Sequence, residues 1–269
     1  MKHYLVIDVG GTNLKYALMS EEMIVQKGEI PTPLTHLDDF IETIGQLYDC
    51  YETQISGIAI SAPGRIDANT GFMYTAGALE YINRDPMADL LKKRCPTAIT
   101  LGTGIGGGII IDRKLYRGTN FAAGEISTLP TSIEAFNPNN SYWAVLNGAS
   151  TLTDRYKQRS NTQSAVLNGR DFFKKVNEGD ELALAILDEF CSHFAIGLFA
   201  LQSILDVQRV AIGGGISDQD SLIRKINEKF TAMISSFPSY FPIQSMDIVR
   251  CAFSNDSNLY GALYHHIYE

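Results

Sequence analysis

Residues 97–112 read TAITLGTGIGGGIIID: an apolar run, a glycine-rich turn and a second apolar run. Ile99–Leu101 and Ile109–Ile111 have the composition of buried strands. Between them stand Gly102, Gly104, Gly106, Gly107 and Gly108, with Thr103 and Ile105 interleaved. Glycines at that density let backbone N–H groups turn toward one point with no Cβ in the way. Converging N–H groups form an anion nest, and a phosphate is the commonest anion of that size. The stretch also satisfies G-x-G-x-x-G through Gly102, Gly104 and Gly107, but a dinucleotide-binding turn must run straight into a helix. Here it runs into three isoleucines, which favour a strand. The reading is therefore a strand-turn-strand hairpin, and a glycine-rich hairpin with no ligand stays open beside the phosphate nest.

The same pattern stands at the start of the chain. Tyr4–Val9 reads as a strand with Asp8 near its end, followed by Gly10, Gly11 and Thr12 and a second strand over Leu14–Met19. An acid buried at a strand end is costly unless a cation or several donors meet it. A Mg²⁺ carried in by nucleotide phosphates would do so, and so would a local aspartate turn. The repeat of this unit at 4–19 and 97–111 suggests two related lobes. A third glycine turn, IGGGIS at 212–217, follows a strand at Arg209–Ile212.

The remaining text places a strand at Ile24–Glu29, a helix at Leu37–Tyr48 capped by Thr35, and a strand at Ile55–Ile60 that runs into SAPGRID. That A-P-G loop either borders a pocket or is a plain turn. A short helix, Met87–Arg94, passes through Cys95-Pro96 directly into the strand TAITLG. Glu125 follows a run of small residues, and 130–143 reads as loop. Helices follow at 149–156, 169–177 and Glu181–Leu205, the last long, apolar and interrupted by Gly197. Asp220–Ser235 is a helix, Met246–Cys251 a strand and Asn258–His266 a closing helix.

With 269 residues and 45% apolar content, the chain can build one large domain or two lobes. A net charge of −8 with no basic cluster argues against nucleic acid or an anionic membrane as partner. If ATP binds, backbone donors and a divalent cation must offset its charge. The four cysteines are scattered, which suggests free thiols in a reducing cytosol and neither a disulfide framework nor a zinc site. The apolar run at the N-terminus is too short for a signal peptide, and no uninterrupted run approaches the roughly 18 residues of a membrane span.

Taken in order, DVGGTN at 8–13, SAPGRID at 61–67, LGTGIGGG at 101–108, AAGEIS at 122–127, IGGGIS at 212–217 and SNLYGAL at 257–263 resemble the ROK family of sugar kinases and repressors, within the actin–hexokinase superfold. The resemblance runs over nearly the whole chain. It implies an α/β fold of two ribonuclease-H-like (actin-like ATPase) lobes with a central ligand cleft. Residues 1–96 would form the N-terminal lobe, completed by the helix at 256–269, and residues 97–255 the C-terminal lobe. It implies that Asp8 serves Mg²⁺, directly or through water. Gly10, Gly11 and Thr12 would form a first phosphate loop, and Gly102, Thr103 and Gly104 a second. Gly213, Gly214 and Gly215 would flank adenosine, and Gly64 and Glu125 would meet the sugar. A surface or capping glutamate is the other reading of Glu125. The activity implied is ATP-dependent phosphorylation of a hexose or hexose derivative at its 6-hydroxyl, by a cytoplasmic homodimer. Phosphoryl transfer asks mainly for positioning and charge neutralisation, which opposed N–H loops and Mg²⁺ supply. A carboxylate accepts two sugar hydroxyls better than a neutral side chain does.

Two departures from the family pattern carry weight. Many relatives have a histidine three residues after the glutamate and then a cysteine-rich zinc motif; here the position is Thr128 and 130–150 has no cysteine, so no structural zinc is expected. AGALEYI at 76–82 looks more like the zinc-free kinases of β-glucosides and N-acetylmannosamine. The family also places an Asn-Asp pair, whose aspartate is the catalytic base, on a strand before the second phosphate loop. Here Cys95-Pro96-Thr97 joins the flanking elements directly, and a stretch of about 30 residues, the size of a βαβ unit, is absent. The pair Asn255-Asp256 stands in the wrong context, and Asp85 and Asp89 read as helix-start residues. No catalytic base is assigned. Either the protein carries a segment missing from this sequence, or this is a deleted form that binds sugar and nucleotide without transfer. A repressor of the family would carry a helix-turn-helix ahead of the first strand. An oxidoreductase would need a helix beginning near Gly107.

Overall fold

The computed structural model describes residues 2–67, 69–77, 79–95, 99–104, 107–112, 114–130, 142–160 and 167–268. The chain divides into two compact units, Met1–Gly124 with Asp256–Glu269, and Glu125–Asn255.

The first unit begins with β1 (Tyr4–Val9), β2 (Asn13–Met19), β3 (Ile24–Pro31), α1 (Leu37–Tyr51) and β4 (Ile58–Pro63). A short antiparallel pair follows, β5 (Ile66–Asp67) with β6 (Phe72–Met73), and then α2 (Met87–Arg94), β7 (Ile99–Gly104), β8 (Ile109–Ile111) and β9 (Lys114–Tyr116). Five strands form one sheet in the order β3-β2-β1-β4-β7, with β1, β4 and β7 parallel and β2 and β3 antiparallel.

All six residues of β1 are buried, because both faces of the sheet are covered. Successive strand side chains point to opposite faces. Leu5, Ile7 and Val9 share a cluster with Phe40 and Ile44 of α1 and Leu91 of α2. Tyr4 and Val6 share another with Leu259, Ala262 and Leu263 from α8 (Ser257–Tyr268), the last helix of the chain. By that alternation Asp8 stands on the α8 side.

Among the described residues β7 does not pair with β8, as the expected hairpin of residues 99–111 requires. β4 is buried on both faces and already pairs with β1, so its second edge needs a partner, and β7 supplies one, with Ile58 opposite Ile99 and Pro63 opposite Gly104. Gly102 and Gly104 are therefore strand positions. The hairpin is made by β8 and β9, with Ile109 opposite Tyr116, and it turns at Asp112, whose φ of 51° is a left-handed value that aspartate tolerates. The boundary between units accordingly falls after Gly124 and not at 96, and the expected repeat of strand-turn-strand at the head of the second lobe is absent from the described residues there. The junction at 96–97 and the turn residues 105–106 lie outside the described residues, as do 131–141 of the expected loop. Thr35 is not the cap of α1 either. The N-cap position is His36, without a side-chain cap, and Asp38 and Asp39 in the first turn complement the helix dipole.

The second unit carries α3 (Trp143–Asn147), α4 (Ala149–Ser160), α5 (Gly169–Asn177), α6 (Glu181–Leu205), β10 (Arg209–Ile212), α7 (Asp220–Ser235) and β11 (Asp247–Arg250). β10 and β11 pair in parallel, with α7 as the crossover. A capping box of Asn168 and Asp171 starts α5, and Asp180 caps α6 through the Ala183 N–H at 2.8 Å. α6 is long and apolar enough to cross a bilayer by length and composition. In this fold Ala183, Ile186, Leu187, Phe190, Cys191 and Leu198 are instead buried in a cluster with residues of α3, α4, α5 and α7.

Gly197 lies under the Trp143 ring, where an added Cβ would overlap the indole. Alanine gains about 1 kcal/mol of helix propensity over glycine, but overpacking a core costs about 1–3 kcal/mol. Gly197→Ala is expected to lower the urea midpoint of unfolding, with a net loss of up to about 2 kcal/mol. His193 titrates below its ordinary value of 6.5, chiefly through burial and then through the Arg155 guanidinium, with Glu189 opposing. A depressed histidine gives stability that is full above pH 6.5 and is lost as pH falls toward the folded-state value. Melting curves should therefore show wild type losing ground to His193→Gln between pH 7 and pH 5.

Candidate functional site

Because β1, β4 and β7 are parallel, their carboxyl ends reach the same edge of the sheet. Asp8 stands opposite Ser61, and Ser61 opposite Gly102, so the three occupy one row across the strands. With neighbouring strands about 4.8 Å apart, the Asp8 and Gly102 backbones are about 10 Å apart. Gly10, Gly11 and Thr12 follow β1, Gly64 follows β4, and Thr103 and Gly104 end β7. Open α/β sheets bind ligands outside the carboxyl ends of their strands. The candidate residues of this unit are all brought to that edge.

Asp8 is buried, with 4% of its surface exposed. Asn258 of α8 donates to its Oδ1 at 3.2 Å, and Lys15 Nζ on β2 lies 4.0 Å from its Oδ2. Burial pushes the carboxyl up from its ordinary value of 3.8, against the opposing effects of Lys15, Asn258 and Ser61. Among the described residues no three histidine, cysteine or acidic side chains gather as a metal cage. One carboxylate beside phosphate-sized donors fits Mg²⁺, which commonly takes one or two protein carboxylates and completes its shell from substrate phosphates and water.

The loop after β1 is braced by Gly10 N–H to the Asn13 carbonyl at 3.0 Å, by the Thr32 hydroxyl to the Gly10 carbonyl at 2.8 Å and by Thr32 N–H to the Thr12 carbonyl at 2.9 Å. A Cβ at Gly10 would sit 2.7 Å from the Asn13 oxygen, whereas one at Gly11 would meet nothing within 4 Å. The fold demands the first glycine and not the second. Gly64 has a φ of 98°, and a Cβ there would overlap the Thr75 carbonyl, so this glycine has a structural reason to be present.

In the second unit, Glu125 occupies the position before a 3₁₀ turn at Ile126–Thr128 but makes no side-chain cap. The Thr128 hydroxyl donates to its backbone carbonyl at 2.9 Å. Its half-buried carboxyl is pushed up by desolvation. That weakens the capping alternative for this residue. Gly213, Gly214 and Gly215 follow β10. Their turn is fixed by Ser217, whose N–H and hydroxyl both donate to the Gly214 carbonyl, at 3.0 and 2.7 Å. Arg250 Nε in turn donates to the Ser217 carbonyl at 2.8 Å.

Sequence reasoning missed Lys15, Ser61 and Asn258. Lys15 is opposite Asp8 in the β1–β2 register and could have been found by pairing those strands. Ser61 needed the β1–β4 register, and Asn258, although inside SNLYGAL, lies 250 residues from Asp8 with nothing local to pair the two. The pair Asn255-Asp256 does not stand in for the expected base: Asp256 is held by Lys27 at 2.7 Å.

The family model for ROK proteins matches residues 4–97 and again 96–267. The chain belongs to the ROK family. This ROK chain is 26% identical over 297 aligned positions to the β-glucoside kinase of Listeria innocua serovar 6a, covering 97% of the chain and 96% of the relative. It is 27% identical over 283 positions to the glucokinase of Halalkalibacterium halodurans, covering 85% of each. A ROK family glucokinase from Streptomyces griseus, solved in complex with glucose and AMPPNP, superposes with a TM-score of 0.83 at 20% identity over 97% of both chains. The shared fold is the mixed α/β, actin-like one. The family match breaks at 96–97, where the expected segment is absent. The alignment to the Listeria relative spans more positions than the 269 residues of this ROK chain, so that relative carries residues this one lacks.

A buried carboxyl with a raised pKa gives stability that is full below 3.8 and is lost as pH rises through the folded-state value. Asp8→Asn is therefore expected to melt a few degrees higher than wild type at pH 7 without ligand, and the gap should close below pH 4.

Proposed function

We propose that this ROK protein is an ATP-dependent kinase of a hexose or hexose derivative such as glucose, a β-glucoside or N-acetylmannosamine, acting at the 6-hydroxyl. The observation that carries the proposal is the row Asp8–Ser61–Gly102 at the parallel strand ends, with glycine loops leaving the same edge. The curated relatives named above, a β-glucoside kinase and a glucokinase, support it.

In this reading the loop of Gly10, Gly11 and Thr12 faces the phosphates through the Gly11 and Thr12 N–H groups, Gly10 N–H being engaged with Asn13, and the strand end Gly102, Thr103 and Gly104 faces them with the N–H groups not used by β4. Gly213–Gly215 flank the adenosine. Asp8 would hold Mg²⁺, directly or through water, and the ion would neutralise phosphate charge. Glu125 accepts hydrogen bonds from sugar hydroxyls and orients the acceptor, and Gly64 keeps its loop close to it. The sugar oxygen bonds to the γ-phosphorus as the bond to the bridging oxygen breaks. ADP leaves, and the hydroxyl proton passes to solvent. A general base ordinarily contributes about 10²–10⁴ to such a step. None is assigned among the residues of this chain; positioning and charge neutralisation are what the residues named above contribute. The proposal includes a cytoplasmic, homodimeric enzyme.

Sugar-dependent ADP release across a panel of hexoses, β-glucosides and N-acetylhexosamines tests the activity. Binding by calorimetry with no turnover on any of them would replace it with the deleted form that binds without transfer. Gly11→Ala should leave the melting temperature unchanged and weaken nucleotide binding by at least about tenfold, the worth of one charge-assisted hydrogen bond. Gly10→Ala should instead lower the melting temperature.

A further inference from the structure

We propose that Asn258 is the positioning residue for Asp8, so that the last helix of the chain sets the aim of the carboxylate at the start of the first glycine loop. This rests on the kinase reading above. An aspartate carboxyl turns in a broad, two-fold torsional well. A donor on one oxygen fixes the plane of the group, and Ser61 also hydrogen-bonds the carboxylate. Asn258 Nδ2 supplies that donor to Oδ1 at 3.2 Å, while Oδ2 looks toward Lys15 Nζ at 4.0 Å, the outer limit of an ion pair. Asparagine is suited to the task because it is neutral. It orients the carboxylate without adding a second positive charge to that of Lys15, as an arginine at hydrogen-bond distance would.

The helix that delivers Asn258 is itself held firmly. Two residues before it, Asp256 is paired with Lys27 of β3 at 2.7 Å. One residue after it, Leu259 is buried against Tyr4, Val6, Ala17 and Ala59. Asn258 is also in the first turn of α8, where the positive end of the helix dipole favours a neighbouring carboxylate. The even residues of β1 face α8, so Asp8 meets this turn through the pleat of its own strand. Outer-shell partners of this kind typically set metal affinity or activity by about 10–100-fold.

The test uses the full chain and the Mn²⁺–ADP complex as probe, with binding read by water-proton relaxation and fold by thermal melting. Asn258→Leu, which keeps the size and removes the donor, should bind Mn²⁺–ADP about 10–100-fold more weakly. Asn258→Ser, too short to reach Asp8 and well tolerated in a first helical turn, should show the same loss and serves if the leucine variant does not fold. Asn258→Gln, which retains an amide donor, should recover part of the affinity. Lys27→Ala, which removes an exposed ion pair of little worth and leaves Asn258 and the buried Leu259 in place, should bind as wild type does. A folded leucine or serine variant with wild-type affinity overturns the positioning role and leaves the kinase reading standing. A loss in Lys27→Ala as large as in the Asn258 variants also overturns it, since a change at the start of α8 that spares the amide would then suffice. A wild-type protein that does not bind Mn²⁺–ADP at all overturns the kinase reading and this inference with it.

Discussion

A carboxylate held out of water at the end of a parallel strand is the constraint around which the first unit is built. Asp8 cannot be there cheaply. Its neighbours Lys15, Ser61 and Asn258 each lower the cost, yet burial still prevails and the carboxyl stays raised. A fold that keeps such a group forgoes stability, and the usual return is a function that needs the charge. The geometry matters as much as the charge. Only parallel pairing puts the ends of β1, β4 and β7 on one side, and parallel pairing demands crossovers long enough to return the chain. The segments from β2 to α1 and from β5 to α2 are those crossovers, and the apolar faces of α1 and α2 then seal the side of the sheet away from Asp8.

The other side is sealed by α8, which ties the two ends of the sequence together. Its buried face, Leu259, Ala262 and Leu263, covers Tyr4 and Val6, so the helix is needed for the sheet to be covered at all. The same face alternation that buries Val6 turns Asp8 toward Asn258. Packing and electrostatics are therefore not separable here: the hydrophobic contacts that dock the helix also deliver its amide to the carboxylate.

Much of this was legible in the sequence, and the pattern of failure is physical. Strands and helices with a strong local signal, such as Tyr4–Val9, Gly169–Asn177, Glu181–Leu205 and Asp220–Ser235, fall where periodicity places them. Asp8 and the glycines of the first loop stood out because an acid and two glycines at a strand end are locally expensive. Partnership was not legible. Whether Ile99–Gly104 pairs with its neighbour in sequence or with β4 depends on which edge lacks hydrogen bonds, and that is decided by residues 58–63. The turn at Asp112 has an ordinary composition and a left-handed φ that only the closed hairpin requires. Asn258 lies inside SNLYGAL, but that text does not show its partner, because its role is fixed by a contact across 250 residues.

The pairing of β7 with β4 follows from the same accounting. Ile58, Ala59 and Ile60 are buried on both faces of the sheet, so the backbone groups along the free edge of β4 cannot turn to water and must find partners within the protein. Where α2 passes straight into the glycine strand, the next available strand is β7 itself, and it closes the sheet at five strands. The gain is a fully paired β4. The consequence is that Gly102–Gly104 become part of a ladder in the first unit and carry their backbone donors to the row that Asp8 begins.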